Sequence, residues 1–289
     1  MYQRCITRIA RSAIIIAIDS SISMQEWTVF QNTRMRKMDA AALIANFAID
    51  ELVMRSTRSG DVRDYYDIAV LQYSDETIDT VIGSESGGFV HITHLHESMP
   101  QPVCYNLCQE EEDGTQSTIP MTLNGWVTPK AYGIAPMYET LVHIKTLVTK
   151  WCDDNANRAS FPPLIINITD GCCSDAEAED ILDIASDIKS IGTKDGMALI
   201  VNVYLANEAD DTTNTLFPAL CDHFSHDHDC QMLYDMSSTL PLELEEIIND
   251  ILGRDGGETY KCFARNASIC EILTLTDIGT EGLYNVKSR

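Results

Sequence analysis

Basic residues are scarce in this chain of 289 residues. Lys and Arg number 20 against 44 Asp and Glu, which gives a formal net charge of −24. A nucleic-acid-binding protein presents a basic face to the phosphates, and binding to an anionic membrane surface also needs clustered cations. The charge balance therefore argues against both nucleic acid and membranes as binding partners.

Long apolar runs are missing as well. No segment approaches the roughly 20 apolar residues that span a bilayer. Arg4, Arg8 and Arg11 precede an apolar run in the manner of a signal peptide, but that run ends at Asp19 and lacks a small-residue cleavage site. We therefore expect a cytoplasmic protein.

Disulfide bonds are not expected, although the chain has ten cysteines. Cysteine-rich frameworks are typical of small secreted domains, and this chain is neither short nor predicted to be secreted. With 45% hydrophobic residues it can bury a substantial core instead. Most of the cysteines are therefore predicted to be reduced.

Two apolar segments, residues 13–18 and 164–168, each end in a short polar motif. The first is followed by D-x-S-x-S and the second by T-D-G. Carboxylate and hydroxyl oxygens are hard ligands for divalent cations, and open α/β sheets bind ligands at the carboxyl ends of their strands. The first motif predicts half of a site for Mg²⁺, or for Mn²⁺ or Ca²⁺, with the ligands Asp19, Ser21 and Ser23. The alternative is an ordinary strand-to-loop turn with local Asx-type hydrogen bonds.

Together the two motifs resemble the metal-ion-dependent adhesion site of von Willebrand factor A (VWA) domains. The resemblance implies that Asp170 is the second acidic ligand and that Ala135, Thr169 and Gly171 lie at the rim of the site, where a partner binds. The family usually supplies a Thr from G-x-T-P-x-Y-E, whereas residues 133–139 read G-I-A-P-M-Y-E and place Ala135 at that position. We expect weaker ion binding as a result. We also expect an uncapped helix start, at a cost of about 1 kcal/mol.

The same resemblance implies a doubly wound α/β fold. Its sheet is mostly parallel with one antiparallel edge strand, and helices cover both faces. Strands and helices that alternate along the chain are consistent with this fold class. We predict a VWA-like domain over residues 8–255, an irregular rim insertion over residues 91–130 and a C-terminal docking tail over residues 256–289.

Hydrophobic periodicity and turn signals predict the individual elements. A helix is predicted over residues 35–55, and Arg34, Arg36 and Lys37 at its start are interpreted as a solvated helix end; attraction of an acidic ligand is the alternative. Ser174 begins an S-x-x-E capping box. The other predicted elements are strands at 66–74, 77–82, 197–204 and 231–234, and helices at 136–151, 174–190, 215–224 and 241–252.

A second cluster of metal-ligating residue types lies later in the chain. It consists of Cys221, His223, His226, His228 and Cys230. Thiolate and imidazole ligands within ten residues can chelate Zn²⁺, although this spacing matches no familiar zinc motif. A polar loop between two elements explains the cluster equally well.

The resemblance implies a binding function. In VWA domains an acidic side chain from a protein partner completes the shell of the ion, so we expect divalent-cation-assisted protein binding by an adaptor or scaffold. Residues 266–280 also resemble the tail of bacterial cytosolic VWA proteins related to the tellurium-resistance group. That likeness implies a signalling, defence or stress-response assembly that includes a protein kinase and a PP2C-type phosphatase.

Two alternatives stay open at this point. A metal-dependent hydrolase would use the ion as a Lewis acid on a phosphoester or peptide, but it needs a general base or a second metal, and no such constellation has recognisable spacing here. We therefore do not predict an enzyme. The other alternative is a structural subunit whose metal site has degenerated through Ala135.

Overall fold

The computed structural model describes residues 2–84, 88–110, 116–156, 160–209, 214–220, 222–224, 226–245, 249, 253–254 and 258–267. The helices are α1 (Lys37–Ser56), α2 (Ile92–Glu97), α3 (Met137–Asp154), α4 (Ala178–Lys189) and α5 (His228–Met236), and a 3-10 turn covers Ile22–Gln25. The strands are β1 (Ser12–Asp19), β2 (Trp27–Phe30), β3 (Thr33–Arg36), β4 (Thr57–Arg58), β5 (Asp61–Val62), β6 (Tyr66–Ser74), β7 (Thr77–Ile82), β8 (Val90–His91), β9 (Pro102–Glu110), β10 (Gln116–Asn124), β11 (Leu164–Thr169), β12 (Leu199–Tyr204), β13 (Thr215–Leu216) and β14 (Phe263–Arg265). Across these ranges, no helix combines the length and the apolar character that a bilayer span requires.

The central sheet has the strand order β13-β14-β12-β11-β1-β6-β7, and β8 also pairs with β6. Strands β14, β12, β11, β1 and β6 run parallel. Strand β7 is the predicted antiparallel edge, and the short strand β13 is antiparallel at the opposite edge. The prediction of a mostly parallel, doubly wound sheet is confirmed.

Two core clusters lie on the two faces of this sheet. Even-numbered side chains of β1 pack in one cluster together with α1, and odd-numbered ones pack in the other with α3, α4 and α5. This alternation follows from the period of two in a strand. The central strand is buried along its whole length because both faces are covered.

The prediction of an irregular insertion over residues 91–130 is wrong. The segment contains helix α2 and an antiparallel ribbon of β9 and β10, paired from Gln116↔Glu110 to Asn124↔Pro102. Its prolines interrupt the sequence pattern, but Pro102 begins a strand and Pro120 lies in a ribbon in which every strand is an edge. Edge strands tolerate the missing N–H of proline.

Other predicted elements also need correction. Strand β3 occupies residues 33–36, so α1 begins two residues later than expected. The predicted helix at 215–224 contains strand β13 instead, and the predicted strand at 231–234 is part of α5, which Asp227 caps by accepting a hydrogen bond from the Cys230 N–H at 3.0 Å.

The predicted capping box at Ser174 is also wrong. Helix α4 begins at Ala178, with Glu177 at the N-cap and a reciprocal capping box to Asp180.

Part of the predicted docking tail belongs to the sheet. Strand β14 lies between β12 and β13, in register with β12 from Asn202↔Phe263 to Tyr204↔Arg265. Residues 256–257 and 268–289, which make up most of that tail, lie outside the described residues.

Two polar side chains of α1 hold the ribbon and the loop after it. Asn46 is fully buried; its amide donates to the Tyr105 hydroxyl (2.9 Å) and the Val127 carbonyl (3.1 Å), and its oxygen accepts from the Val127 N–H (2.8 Å). One turn later, Asp50 accepts hydrogen bonds from the Asn124 backbone and the Trp126 indole. The ribbon is thereby fixed to the helix that follows β1.

Replacing Asn46 by Ala should lower the free energy of unfolding by about 2–4 kcal/mol, because the buried N–H and C=O of Val127 lose their partner. Chemical denaturation measures the change. Asn106→Ala is the matched control, since Asn106 is exposed on β9, and its effect should stay within about 0.5 kcal/mol. Equal effects of the two substitutions would contradict the proposed role of Asn46.

Candidate metal centre

The two polar motifs meet because β1 and β11 are neighbours. Their parallel register pairs Ile18 with Ile168, so Asp19 and Thr169 end the two strands side by side. Helix α1 follows β1 on one face and α3 precedes β11 on the other. The strand ends therefore lie at the point where the chain order of the sheet reverses, where open α/β sheets form their binding crevice.

Asp19 is a buried carboxylate held by neutral donors. It is 1% exposed; its Oδ1 accepts from the Ser21 N–H at 2.8 Å, and its Oδ2 accepts from the Thr169 hydroxyl at 2.8 Å. Burial, followed by the nearby charge of Asp170, raises the pKa of Asp19 to about 6. Within the described part of the chain, no ion pair joins Asp19 to a cation.

The two motif serines lie where paired ligands of an ion could be. Ser21 precedes the 3-10 turn and Ser23 lies within it, and their Oγ atoms are hydrogen-bonded to each other at 3.0 Å, with either hydroxyl able to donate. Neighbouring oxygens around an octahedral Mg²⁺, each about 2.1 Å from the ion, are separated by about 3.0 Å. The hydroxyl pair thus fits a divalent cation in both donor type and spacing.

The residues expected at the rim are buried instead. Ala135 and Thr169 are 0% exposed, and Gly171 is buried as well. The Thr169 hydroxyl donates a hydrogen bond to the Asp19 carboxylate and accepts one from the Gly171 N–H at 3.0 Å. Thr169 therefore fixes the orientation of that carboxylate. These three positions support the site but present no surface to a partner.

Helix α3 is capped despite Ala135. The carboxylate of Asp175, in the loop after T-D-G, accepts from the N–H groups of Tyr138 (3.1 Å) and Glu139 (3.0 Å). Ser174 ties the same loop to Ala135 through its own N–H, which donates to the Ala135 carbonyl at 3.0 Å. The expectation of an uncapped helix is wrong, because the acceptor comes from a distant segment.

Lys37 is the site residue that sequence reasoning missed. Its ammonium lies 2.9 Å from Asp170 Oδ2 and 3.1 Å from Glu26 Oε2. The side chains of Lys37 and Asp170 are 3% and 4% exposed, so the interpretation of Lys37 as a solvated helix end is wrong. A cation at a helix N-terminus opposes the helix dipole, and nothing in the local sequence indicated that it would be buried there.

The three histidines of the second cluster line the same crevice as the T-D-G turn, so one wall of the crevice comes from this turn and another from the start of α5 and the segment before it. This crevice has a volume of about 740 Å³ and is lined by Ser23, Glu26, Lys37, Asp170, Cys172, Tyr204, Asn207, His223, Phe224, His226, Asp227, His228, Asp229 and Arg265. The three histidines are exposed, whereas Cys230 is fully buried on α5, where burial raises its thiol pKa to about 12. Cys221 lies outside the described residues. Among those that are described, no three or more His, Cys, Asp or Glu side chains are grouped to hold a metal ion.

Gly171 allows the two walls to meet. Its φ is +85°, a conformation that favours glycine, and a Cβ there would lie 2.6 Å from the Cβ of Asp229. The start of α5 therefore packs directly against the T-D-G turn. Burial, with the charges of Asp227 and Asp170 among the further causes, raises the pKa of Asp229.

Comparisons with known proteins give little beyond this geometry. No family model matches the chain, and no curated protein matches it. Among solved structures, it is similar to the vWF domain of the type V pili tip protein Mfa5 from Porphyromonas gingivalis, at 12% identity and a TM-score of 0.33. The match covers 57% of this chain and 39% of that one. The fold assignment therefore rests on the strand order rather than on this likeness.

Substituting Gly171 by Ala should destabilise the protein more than the same change at Gly60. Both glycines have φ +85°, but nothing lies within 4 Å of a Cβ at Gly60. The backbone conformation alone costs about 1–2 kcal/mol, and the contact with Asp229 should add about 1–3 kcal/mol. Denaturant unfolding of both variants separates the two effects. Equal losses of unfolding free energy in the two variants would show that the T-D-G turn and the start of α5 are not in contact.

Asp19→Asn should stabilise the protein when divalent cations are chelated. The change removes a buried charge near Asp170 and keeps the side-chain shape, but it replaces one of the two acceptor oxygens by an NH2 donor and so costs about one hydrogen bond. A pKa raised from 3.8 to about 6 corresponds to about 3 kcal/mol, so after this loss we expect a gain of about 1–2 kcal/mol at neutral pH.

Unfolding in EDTA tests this expectation against Asp79→Asn. The Asp79 side chain is 46% exposed and pairs with Lys130, so its replacement should change stability by less than about 1 kcal/mol. A clear loss of stability in Asp19→Asn would mean that the negative charge of Asp19 is compensated in the folded protein.

Proposed function

We propose that this chain is a VWA-type protein-binding domain that takes an acidic side chain of a protein partner at a divalent cation. Asp19, Ser21, Ser23 and Asp170 would hold the ion, which would be Mg²⁺ or else Mn²⁺ or Ca²⁺. The observation that carries the proposal is the adjacency of the two motifs at neighbouring strand ends, where Ser23 and Asp170 line one crevice. Behind them, among the described residues, Asp19 is buried and accepts hydrogen bonds from neutral donors alone.

The topology supports the proposal independently of the motifs. The VWA resemblance implies a mostly parallel sheet with an antiparallel edge and with the two acidic segments at adjacent strand ends. The order β11-β1-β6-β7, with β7 antiparallel, has this arrangement. A chance occurrence of D-x-S-x-S and T-D-G would not require the two motifs to end neighbouring parallel strands.

The charge of the site indicates what it can bind. Asp19 and Asp170 are both buried, and Lys37 contributes the one cation that contacts Asp170 among the described residues. A bound divalent ion would supply the remaining positive charge and leave coordination positions for an external carboxylate. This chemistry suits an adaptor or scaffold. Its place in a signalling, defence or stress-response assembly with a kinase and a PP2C-type phosphatase stays a prediction from the resemblance.

A second candidate function, that of a structural subunit that binds its partner without a metal ion, is supported by one observation. The buried Lys37 ammonium already gives Asp170 a positive partner, which is what a subunit that binds its partner without metal would need. Ala135, which lacks the hydroxyl that the family usually provides, is consistent with this alternative. The hydrolase alternative stays a prediction that would require a general base.

Affinity capture from source-cell lysate, in Mg²⁺ and in EDTA, tests the proposal. The full chain is immobilised as wild type, Asp19→Asn and Ser23→Ala, and retained proteins are identified by mass spectrometry. We expect a partner that is retained by wild type in Mg²⁺ and lost on chelation and in both variants. Because Asp19→Asn should be at least as stable as wild type, its loss of binding would reflect the site and not unfolding.

Ser98→Ala is the control, because Ser98 is exposed at the end of α2 and does not line the crevice. It should retain the partner fully. A partner retained in EDTA and by both site variants would reject the metal-assisted mode and favour the metal-independent subunit. Replacing acidic residues of the captured partner one at a time then identifies the carboxylate that enters the crevice.

A further inference from the structure

We propose that the Lys37 ammonium is a built-in counterion of the candidate metal centre, and that a divalent cation binds there only by displacing it from Asp170. The inference rests on the proposed function, because it concerns the same ligands. It goes further by assigning a role to a residue outside both motifs. In the metal-free protein, Lys37 supplies the positive charge that the ion would otherwise provide.

Burial of Lys37 is the first observation behind this inference. The residue is 2% exposed in a chain that carries 44 acidic and only 20 basic residues. Lysine is rarely buried unless it is paired, because its ammonium loses its hydration. Most cationic side chains of such an acidic chain can pair with carboxylates at the surface. Burial of the Lys37 side chain therefore indicates that a buried carboxylate needs a positive charge at this position.

The ammonium contacts a carboxylate oxygen that the ion would need. Lys37 Nζ lies 2.9 Å from Asp170 Oδ2, while Asp170 Oδ1 accepts the Cys172 N–H at 3.3 Å. Both oxygens of the T-D-G carboxylate are thus engaged inside the protein. A divalent ion that took Oδ2 would lie close to the ammonium, and two cations repel strongly at such a distance in a buried site.

The backbone holds Lys37 at this position. Its N–H donates to the Glu26 carbonyl at 3.0 Å, and the Arg36 guanidinium donates to the Gln25 carbonyl at 2.6 Å. The β2–β3 hairpin therefore joins the end of the 3-10 turn to the first residue of α1. The first residue of α1 is thus held at the end of the turn that carries Ser23, and from there its ammonium reaches Asp170.

Glu26 offers the displaced ammonium a second partner. Its carboxylate lies 3.1 Å from Lys37 Nζ and its side chain is 57% exposed, at the mouth of the crevice. When an ion takes Asp170, the lysine side chain can swing outward and remain paired with Glu26. The exchange then leaves no buried cation without a countercharge, which makes displacement feasible.

Titration with Mn²⁺ tests the competition directly. Calorimetry is performed on the full chain as wild type, Lys37→Met and Lys145→Met. Lys145 pairs with Asp187 on the surface and its side chain is 38% exposed, so its replacement removes the same charge away from the crevice. We expect Lys37→Met to lower the Kd for Mn²⁺ by about tenfold, a usual size for coupling between two binding events, and Lys145→Met to leave it unchanged.

Each outcome separates this inference from the proposed function. Equal Kd values for wild type and Lys37→Met would overturn the counterion role and leave the metal centre standing. Binding of Mn²⁺ by Lys37→Met alone would support the counterion role and contradict a metal-assisted function of the natural chain. Absence of binding in both would overturn both.

Thermal unfolding provides a second readout that does not depend on a partner. In EDTA, Lys37→Met should have a lower Tm than wild type, because Asp170 loses its cation. Added Mn²⁺ should raise the Tm of Lys37→Met more than that of wild type, since at a given concentration a ligand that binds more tightly stabilises the folded state more. If Lys37→Met does not fold in EDTA, Lys37→Gln serves in both measurements, because it keeps a hydrogen-bond donor for Asp170. An Mn²⁺-induced rise in Tm no larger than that of wild type would overturn the inference.

Discussion

The pairing of β1 with β11 is the constraint on which the candidate site depends. Their register places Asp19 beside Thr169, and a slip by one residue would turn every side chain of β1 to the opposite face. Burial alone does not prevent such a slip, because both faces of β1 are covered. Side-chain volume does: three isoleucines of β1 face α1, whereas the other face has one isoleucine between Ala13 and Ala17, which leave room for the helices there. A slipped strand would force large side chains into that narrower space, and overpacking is costly.

The electrostatics of the site follow from this placement. Asp19 and Asp170 end neighbouring strands that are fully covered, so the fold brings two carboxylates together where water is scarce. Such an arrangement is stable only if a cation is close by. Lys37 gives Asp170 that cation, whereas hydrogen bonds from Thr169 and the Ser21 backbone support Asp19 without neutralising it. In the folded chain the Asp19 carboxylate therefore still lacks a cationic partner among the described residues, and a bound divalent ion could provide one.

Local patterns predicted the parts of the fold that depend on local sequence. Strands β1, β6, β7 and β11 have long apolar or alternating runs bounded by polar turns, and the adjacency of Asp19 and Asp170 followed from placing both at strand ends. The apolar run at 231–234 is too short to separate helix from strand, and the structure resolves it as α5. The Asp175 cap and the Lys37 ion pair join segments distant in the chain, so no window of sequence contains them.

The histidine-rich segment and the candidate metal centre are best understood as one surface. Gly171 lets the start of α5 approach the T-D-G turn, so whatever enters the crevice meets Lys37 and Ser23 on one wall and His226 and His228 on the other. The same crevice is lined by four carboxylates, Glu26, Asp170, Asp227 and Asp229, against the two cations Lys37 and Arg265. Its own charge would therefore repel an external carboxylate, and a bound divalent ion would turn that repulsion into attraction.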